Sequence, residues 1–211
     1  MINNLTITNL HLDILKEIGN IGAGNAATAL STLLRKKVDM NIPDVRMVSF
    51  DEMMELAGGA ENIAVSVFLR VEGEAPGSMF FVLPLEEASR FIQILTNDET
   101  FEFSNPPYSE IGLSAMHELG NILSGSYLSA LSDFTKLHIY PSVPSLSIDM
   151  IGALLSYGLI EISTYSDRVI VIDTALEEVD GETNTRIQGH FFLLPDPNSF
   201  ETIFSSLGVS S

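Results

Sequence analysis

The sequence contains no cysteine among its 211 residues and only four histidines. Without cysteine, a disulfide scaffold, a cysteine-ligated zinc site and a thiol nucleophile are all excluded. Four histidines are too few to favour a metal site built from several histidine ligands. We therefore expect no metal site on this chain.

Basic residues are scarce: 10 lysines and arginines stand against 28 aspartates and glutamates, so the net charge is −18. A surface of this charge repels phosphate backbones and anionic lipids. The charge therefore argues against nucleic-acid and membrane-surface partners, and it favours partners that carry lysine or arginine. Hydrophobic residues make up 45% of the chain, which is sufficient for a folded core.

Long apolar runs and an export signal are also missing. No uncharged apolar run reaches the roughly 18 residues needed to span a bilayer. The first residues carry no basic segment followed by an apolar core, as a signal peptide would. We expect a cytoplasmic protein, and this expectation depends mainly on the missing signal.

The chain divides into two halves with a similar order of predicted elements. Apolar residues at spacings of three and four predict long helices over 9–34 and 112–131. A strand-like segment interrupted by proline follows each helix, over 38–50 and 137–148. The remaining predictions are short helices over 51–56 and 149–155, strands over 63–71, 78–83, 159–163, 169–173 and 188–194, and closing helices that begin with proline over 84–95 and 195–207.

Two sequence matches between the halves indicate an internal duplication. Residues 17–21 align with 118–122 at an offset of 101, and residues 81–84 align with 192–195 at an offset of 111. The larger second offset implies that the second half carries about ten extra residues. We expect these in the acidic, glycine-containing stretch around 177–185.

The expected fold is α+β with pseudo-two-fold symmetry. We predict a single domain over residues 1–211, built of two repeats at about 9–96 and 110–207, with a linker over 97–109. The predicted elements give a sheet of about six strands with the two long helices on one face.

One face of each long helix carries a similar polar triplet, with the spacing i, i+4, i+7. The triplets are Asp13, Glu17 and Asn20 in the first helix and Ser114, Glu118 and Asn121 in the second. This spacing keeps the three side chains within about 60° of one another. A proline, Pro43 or Pro144, follows each asparagine after 22 intervening residues. The pattern D/S-x3-E-x2-N-x22-P therefore occurs twice, which is difficult to obtain by chance.

A solvated polar face is the simplest alternative for these triplets. The asparagines argue against it, because asparagine is a middling helix former and each one follows a glycine, Gly19 or Gly120, in mid-helix. Glycine in a helix costs about 1 kcal/mol relative to alanine. Two explanations of the glycines stay open: packing of the helix against the sheet, and close approach of another backbone beside the asparagine.

Two other motifs fail in their context. Residues 22–27 (Gly-Ala-Gly-Asn-Ala-Ala) imitate a dinucleotide-binding glycine motif, but they lie inside a helical period and do not follow a strand. Residues 117–121 begin like the helix of a zinc protease, but Asn121 replaces the second histidine.

With these residues the chain resembles the CheC/CheX/FliY family of bacterial and archaeal chemotaxis phosphatases, in its CheC branch. The resemblance extends from residues 12–24 to residues 191–196. The signature of the family is the D/S-x3-E-x2-N-x22-P pattern, and both copies in this chain match it. The resemblance therefore implies two candidate active sites.

The implied activity is hydrolysis of the aspartyl phosphate on the response regulator CheY, with Asn20 and Asn121 positioning the attacking water. Glu17 and Glu118 are implied to anchor a cation on the regulator, and a general-base role is the alternative. The resemblance implies no cofactor on this chain, with Mg²⁺ carried by the regulator. The supporting members of the motif are expected to be Asp13, Pro43, Ser114 and Pro144.

The resemblance also implies a second surface around Asp149, in the predicted short helix of the second half. It implies that this region docks the receptor deamidase CheD, and the alternative is a helix that only packs. If CheD docking is the main task of the chain, its function is that of a non-catalytic adaptor that mainly regulates CheD. This is the alternative to the phosphatase function.

Overall fold

A computed structural model of the chain describes residues 7–103, 106–162, 168–179 and 186–209. Over these residues the element order α-β-β-α-β-β-α occurs twice. The helices are α1 (Asn9–Leu34), α2 (Phe50–Leu56), α3 (Leu85–Thr96), α4 (Glu110–Thr135), α5 (Ile151–Ile162) and α6 (Ser199–Ser206). The strands are β1 (Val38–Asn41), β2 (Val45–Ser49), β3 (Ile63–Gly73), β4 (Gly77–Pro84), β5 (Ile139–Pro141), β6 (Ser145–Met150), β7 (Arg168–Glu178) and β8 (Arg186–Pro195).

The two long helices follow the predicted periodicity. The first coincides with the predicted range, and the second begins two residues earlier and ends four residues later than predicted. Ser109 caps the second helix at its N-terminus, where its hydroxyl accepts a hydrogen bond from the Gly112 amide. Both helices end at a basic residue in the left-handed conformation, Arg35 (φ 53°) and Lys136 (φ 59°), which stops the helical hydrogen bonding.

The sheet has eight strands in the part of the chain that the structure describes, where about six were expected. The difference arises at Pro43 and Pro144. Each segment predicted as one proline-interrupted strand forms two strands, β1 and β2 or β5 and β6, on either side of the proline. Proline has no backbone N–H to donate to a ladder, so pairing stops there and resumes beyond it.

Strand exchange joins the two halves. The sheet order is β1-β7-β8-β4-β3-β5, with β2 also on β7 and β6 also on β3, and every pair is antiparallel. The edge strands β1 and β2 of the first half therefore pair with the second half, and β5 and β6 pair with the first. The central pair, β4 and β8, also joins the halves.

The helices form layers on both faces of the sheet. The long helices α1 and α4 pack with α3 and α6 against one face, as expected for the long pair, in a core that includes Leu30, Phe91 and Phe191. The short helix α2 and helix α5 cover part of the other face, over Phe80 and Phe192. Among the described residues, no helix combines the length and apolar character required to cross a membrane.

Three predictions in the second half were wrong. Asp149 lies in strand β6 and not in a helix, because pairing of β6 with β3 extends through Asp149 and Met150. Helix α5 continues to Ile162, so residues 159–162 are helical and not a strand, and Ser163 lies outside the described residues. Short apolar runs fit either element, which explains the error. The last helix begins at Ser199, four residues after Pro195. The expected acidic loop lies partly in β7, and residues 180–185 are outside the described part.

Candidate functional site

Both polar triplets lie on faces of the long helices that point away from the core. Five of the six side chains are exposed and the sixth, Asn20, is half-buried. The exposed members are Asp13, Glu17, Ser114, Glu118 and Asn121. Their orientation follows from the apolar stripe next to them, because residues such as Ile18 and Leu119 are 3% exposed and turn the helices towards the sheet.

The glycines before the asparagines are packing positions. A Cβ on Gly19 would lie 2.9 Å from the Tyr127 phenol oxygen, and one on Gly120 would lie 2.6 Å from Cγ1 of Val67 in β3. Burial raises the pKa of the Tyr127 phenol well above its ordinary value, so the group beside Gly19 stays neutral. Packing of the helix against the sheet therefore accounts for Gly120, whereas Gly19 packs against α4. Close backbone approach occurs at Gly22, against α4.

In the first site, the asparagine holds the link between β1 and β2. The Asn20 Oδ1 accepts a hydrogen bond of 2.9 Å from the backbone N–H of Ile42, which directly precedes Pro43. The Lys16 ammonium donates to the Pro43 carbonyl from the same helix. These two bonds hold Asn20 and the segment around Pro43 side by side.

The second site differs at the same position. The Asn121 amide nitrogen lies 3.4 Å from Nδ1 of His117 on its own helix. Val143, the residue before Pro144, is 86% exposed, whereas Ile42 is 2% exposed. Pro144 is half-buried in the link between β5 and β6, and Pro43 is exposed. The same motif therefore has one amide oriented by the chain's own backbone and one amide exposed on the helix surface.

The sequence interpretation missed three residues of these surroundings: Lys16, Ile42 and His117. The offset of 101 pairs Lys16 with His117 immediately before the two glutamates, and this pairing was the available signal. No comparable signal existed for Ile42, because its contact with Asn20 depends on how the β1–β2 link crosses the helix.

Each site presents an anionic carboxylate and a neutral carboxamide about one helical turn apart. The triplet residues line neither the small cavity in the core nor the groove beside Asp149, and all but Asn20 are exposed on the helix surface. Among the described residues, no group of three histidine, aspartate or glutamate side chains could hold a metal ion. A helix face of this kind is suited to contact with a macromolecule, with the amide donating and accepting hydrogen bonds.

Asp149 lies at the opposite face of the sheet from the long helices. Its side chain is exposed, and Oδ1 accepts a 2.7 Å hydrogen bond from the Met150 amide. Beside it, strands β3, β4 and β6 and helix α5 enclose a groove of about 650 Å³. Phe68 and Leu154 line the groove together with Ser66, whose buried hydroxyl has no hydrogen-bond partner among the described residues.

The chain is similar to known proteins, and the similarity to a family model covers the two segments that contain the motif. The CheC-like family model matches residues 10–47 and 111–148. The CheY-P phosphatase CheC of Bacillus subtilis is 47% identical over 199 residues, which are 94% of each chain. The structure of FliY from Thermotoga maritima matches with a TM-score of 0.75 at 21% identity, covering 97% of this chain and 98% of that one.

A second solved structure is CheX from Borrelia burgdorferi, in a complex with CheY, BeF3 and Mg²⁺. It matches with a TM-score of 0.51 at 17% identity, covering 85% of this chain and 96% of that one. The two structural matches indicate the fold, and the identity with the Bacillus subtilis protein extends over nearly the whole sequence. The chain therefore belongs to the CheC-like family.

Proposed function

We propose that this protein is a phosphatase that hydrolyses the aspartyl phosphate of a CheY-type response regulator. The observation that carries the proposal is the outward presentation of a glutamate and an asparagine from each of two long helices. Two facts about relatives support it. The Bacillus subtilis relative is named a CheY-P phosphatase, and CheX, with a similar fold, was solved bound to CheY.

Asn20 and Asn121 are proposed to position the attacking water. A carboxamide is neutral, so it can approach a phosphoryl dianion without repulsion, and it both donates to and accepts from water. The water oxygen bonds to phosphorus as the bond to the aspartyl oxygen breaks, the carboxylate leaves, and the water proton passes to solvent. A magnesium ion on the regulator would neutralise charge on the phosphoryl oxygens during this transfer.

Glu17 and Glu118 are proposed to anchor the regulator. A carboxylate at contact distance from a phosphoryl group would be repelled, so a lysine on the regulator is the more favourable partner. Both carboxylates are exposed and available to a partner. The net charge of −18 favours the same kind of partner surface. General-base catalysis is the weaker alternative, because a carboxylate leaving group requires little proton removal in the transition state.

The test is phosphate release from phosphorylated CheY. The wild-type chain should accelerate release, and the double variant Asn20→Ala/Asn121→Ala should return it to the rate of the regulator alone. Asn25→Ala is the matched control, since Asn25 is an exposed asparagine of α1 outside the triplet, and it should keep the full rate. Full activity in the double variant would refute the water-positioning role.

A second function, docking of the deamidase CheD, is favoured by the groove beside Asp149. Half-buried Leu154 and exposed Ala153 of α5 line the groove next to Asp149. Asp149 adds a charge that a basic residue on CheD could meet. If this docking were the main task, the chain would be an adaptor that regulates CheD rather than an enzyme.

Charge reversal separates the two functions. Asp149→Lys should abolish capture of CheD while phosphate release from CheY is unchanged, and Asp133→Lys, at an exposed aspartate of α4, should affect neither. If the chain is only an adaptor, the wild type does not accelerate phosphate release, so the asparagine double variant should release phosphate at the wild-type rate. Capture of CheD by Asp149→Lys at wild-type strength would contradict docking at this surface.

A further inference from the structure

Six glycines lie within α1 and α4, and four of them have an evident structural reason. A Cβ on Gly19, Gly22, Gly112 or Gly120 would meet a neighbouring atom at 2.6–3.1 Å. Gly24 and Gly125 are the exceptions, because a Cβ on either would meet nothing within 4 Å. Glycine is among the least favourable residues inside a helix, so these two positions cost stability without a packing benefit in the chain itself.

The two unexplained glycines occupy the same place relative to the motif. Each lies four residues after the motif asparagine and seven after the glutamate, which puts the three on one helix face. Seven residues amount to about 20° less than two full turns, so Gly24 lies almost directly along the helix from Glu17. Gly24 is exposed and Gly125 is half-buried.

An exposed apolar residue flanks this face at the first site. Ile21, three residues before Gly24, is 38% exposed, whereas Ile122, three residues before Gly125, is half-buried and packs against the core. The face therefore continues from the glutamate and the asparagine to bare backbone, with an exposed isoleucine beside it at the first site. An exposed isoleucine beside bare backbone is suited to direct contact with another protein surface.

We propose that Gly24 and Gly125 are contact positions at which the response regulator approaches the helix backbone closely. The proposal rests on the phosphatase function and extends the site by one helical turn. An asparagine side chain is short, so its amide reaches a recessed phosphoryl group only when the two protein surfaces are close together. A side chain on the next turn of the same face would hold the surfaces apart, and glycine removes it at both sites.

The test uses variants in which one site carries the activity. Gly24→Ala is made in the Asn121→Ala background, where the first site remains, and Gly125→Ala in the Asn20→Ala background. Both glycine variants should unfold at a higher urea concentration than their parents, because alanine favours the helix. Both should lower kcat/KM for phosphorylated CheY about tenfold or more, mainly through KM, because the added methyl group crowds the interface.

Each glycine variant also serves as the control for the other. Gly24→Ala in the Asn20→Ala background, where only the second site acts, should leave kcat/KM unchanged. Asn25→Ala, adjacent to Gly24 but off the face, should leave it unchanged in both backgrounds. Unchanged kcat/KM for Gly24→Ala at its own site would overturn the proposal. A loss of activity together with a lower unfolding midpoint would also overturn it, because the methyl group would then disturb the chain itself.

Binding distinguishes this proposal from the phosphatase function. The affinity for CheY activated with beryllofluoride is measured by calorimetry in chains whose other site also lacks its anchoring glutamate, Glu118→Ala for Gly24→Ala and Glu17→Ala for Gly125→Ala. In these backgrounds each glycine variant should lower the affinity about tenfold or more. A chain that binds activated CheY but releases no phosphate would refute the phosphatase function alone. Undiminished binding by both glycine variants would refute the contact positions alone.

Discussion

Replacing Asn20 by alanine should destabilise the fold, whereas the same replacement at Asn121 should not. The difference comes from the Asn20 Oδ1, which accepts the Ile42 amide at 2.9 Å across 22 residues of sequence. Asn121 is exposed, and its amide has only the longer 3.4 Å contact with His117. The two variants therefore make one chemical change in two different surroundings.

The magnitude follows from the group that loses its partner. Ile42 is 2% exposed, so Asn20→Ala leaves a poorly solvated N–H, a loss of about 1–2 kcal/mol when water reaches it in part. Alanine also favours the helix over asparagine by up to about 0.7 kcal/mol, but this gain is common to both variants and cancels in their comparison. Asn20→Ala should thus be about 1–2 kcal/mol less stable than Asn121→Ala. For a chain of this size, each kcal/mol lowers Tm by about 2–4 °C.

Urea unfolding of the two single variants measures this difference. The midpoints should separate while the slopes stay equal, because the exposed surface on unfolding is the same. Asn20→Asp is the control: it keeps an acceptor for the Ile42 amide and should recover stability. It also loses the neutral amide, so in the Asn121→Ala background, where only the first site remains, it should release phosphate slowly. Equal midpoints for Asn20→Ala and Asn121→Ala would show that the hydrogen bond contributes nothing in solution and would refute the reasoning.

Three further predictions concern the rest of the fold. Burial raises the pKa of the Asp173 carboxyl, but hydrogen bonds from His190 and Arg46 outweigh burial and hold the pKa below its ordinary value. Its stabilisation is complete above the unfolded pKa of about 3.9 and is lost as pH falls through the lower, folded value. Asp173→Asn should therefore flatten the fall of the urea midpoint below about pH 4. Gly120→Ala should destabilise the chain by about 1–3 kcal/mol through crowding against Val67, and Val67→Ala added to it should recover part of that loss rather than add to it. Fragments 1–104 and 105–211, produced together, should elute as one complex in size-exclusion chromatography, since β1 and β2 pair with β7, and β5 and β6 pair with β3; separate elution would count against the exchange.

The long helices and the exposure of their motif could be predicted because both depend on short-range periodicity. In α1, buried Leu15 and Ile18 alternate with exposed Glu17 at the spacing of a helix whose one side packs against a sheet. A helix face is determined within a few residues, so the positions of Glu17 and Glu118 follow from the sequence alone.

The strand arrangement could not be predicted in the same way, because pairing partners are far apart in sequence. Nothing local in β1 or β2 indicates that β7 of the other half is their neighbour. The sequence alignment of residues 81–84 with 192–195 was misleading about which face of the sheet each side chain occupies. Phe81 faces the long helices, whereas Phe192, its match at the offset of 111, faces α2 and α5. A shift of one residue reverses the faces of a strand, and letter alignment does not detect it.

The candidate sites show the same division between local and distant information. The motif spacing is equal in both copies, but the surroundings of the asparagines are determined by Ile42 in one copy and Val143 in the other, which are 2% and 86% exposed. The buried backbone N–H of Ile42 needs a hydrogen-bond acceptor, which the Asn20 side chain supplies. The backbone of the exposed Val143 can instead be solvated by water. The orientation of Asn20 is therefore fixed before a partner arrives, and that of Asn121 depends on the partner and on His117. The two copies of the motif thus form sites with different surroundings, so variants of the two asparagines should be measured separately. A double variant would combine the loss of an amide held by the chain's backbone with the loss of an amide exposed on the helix surface.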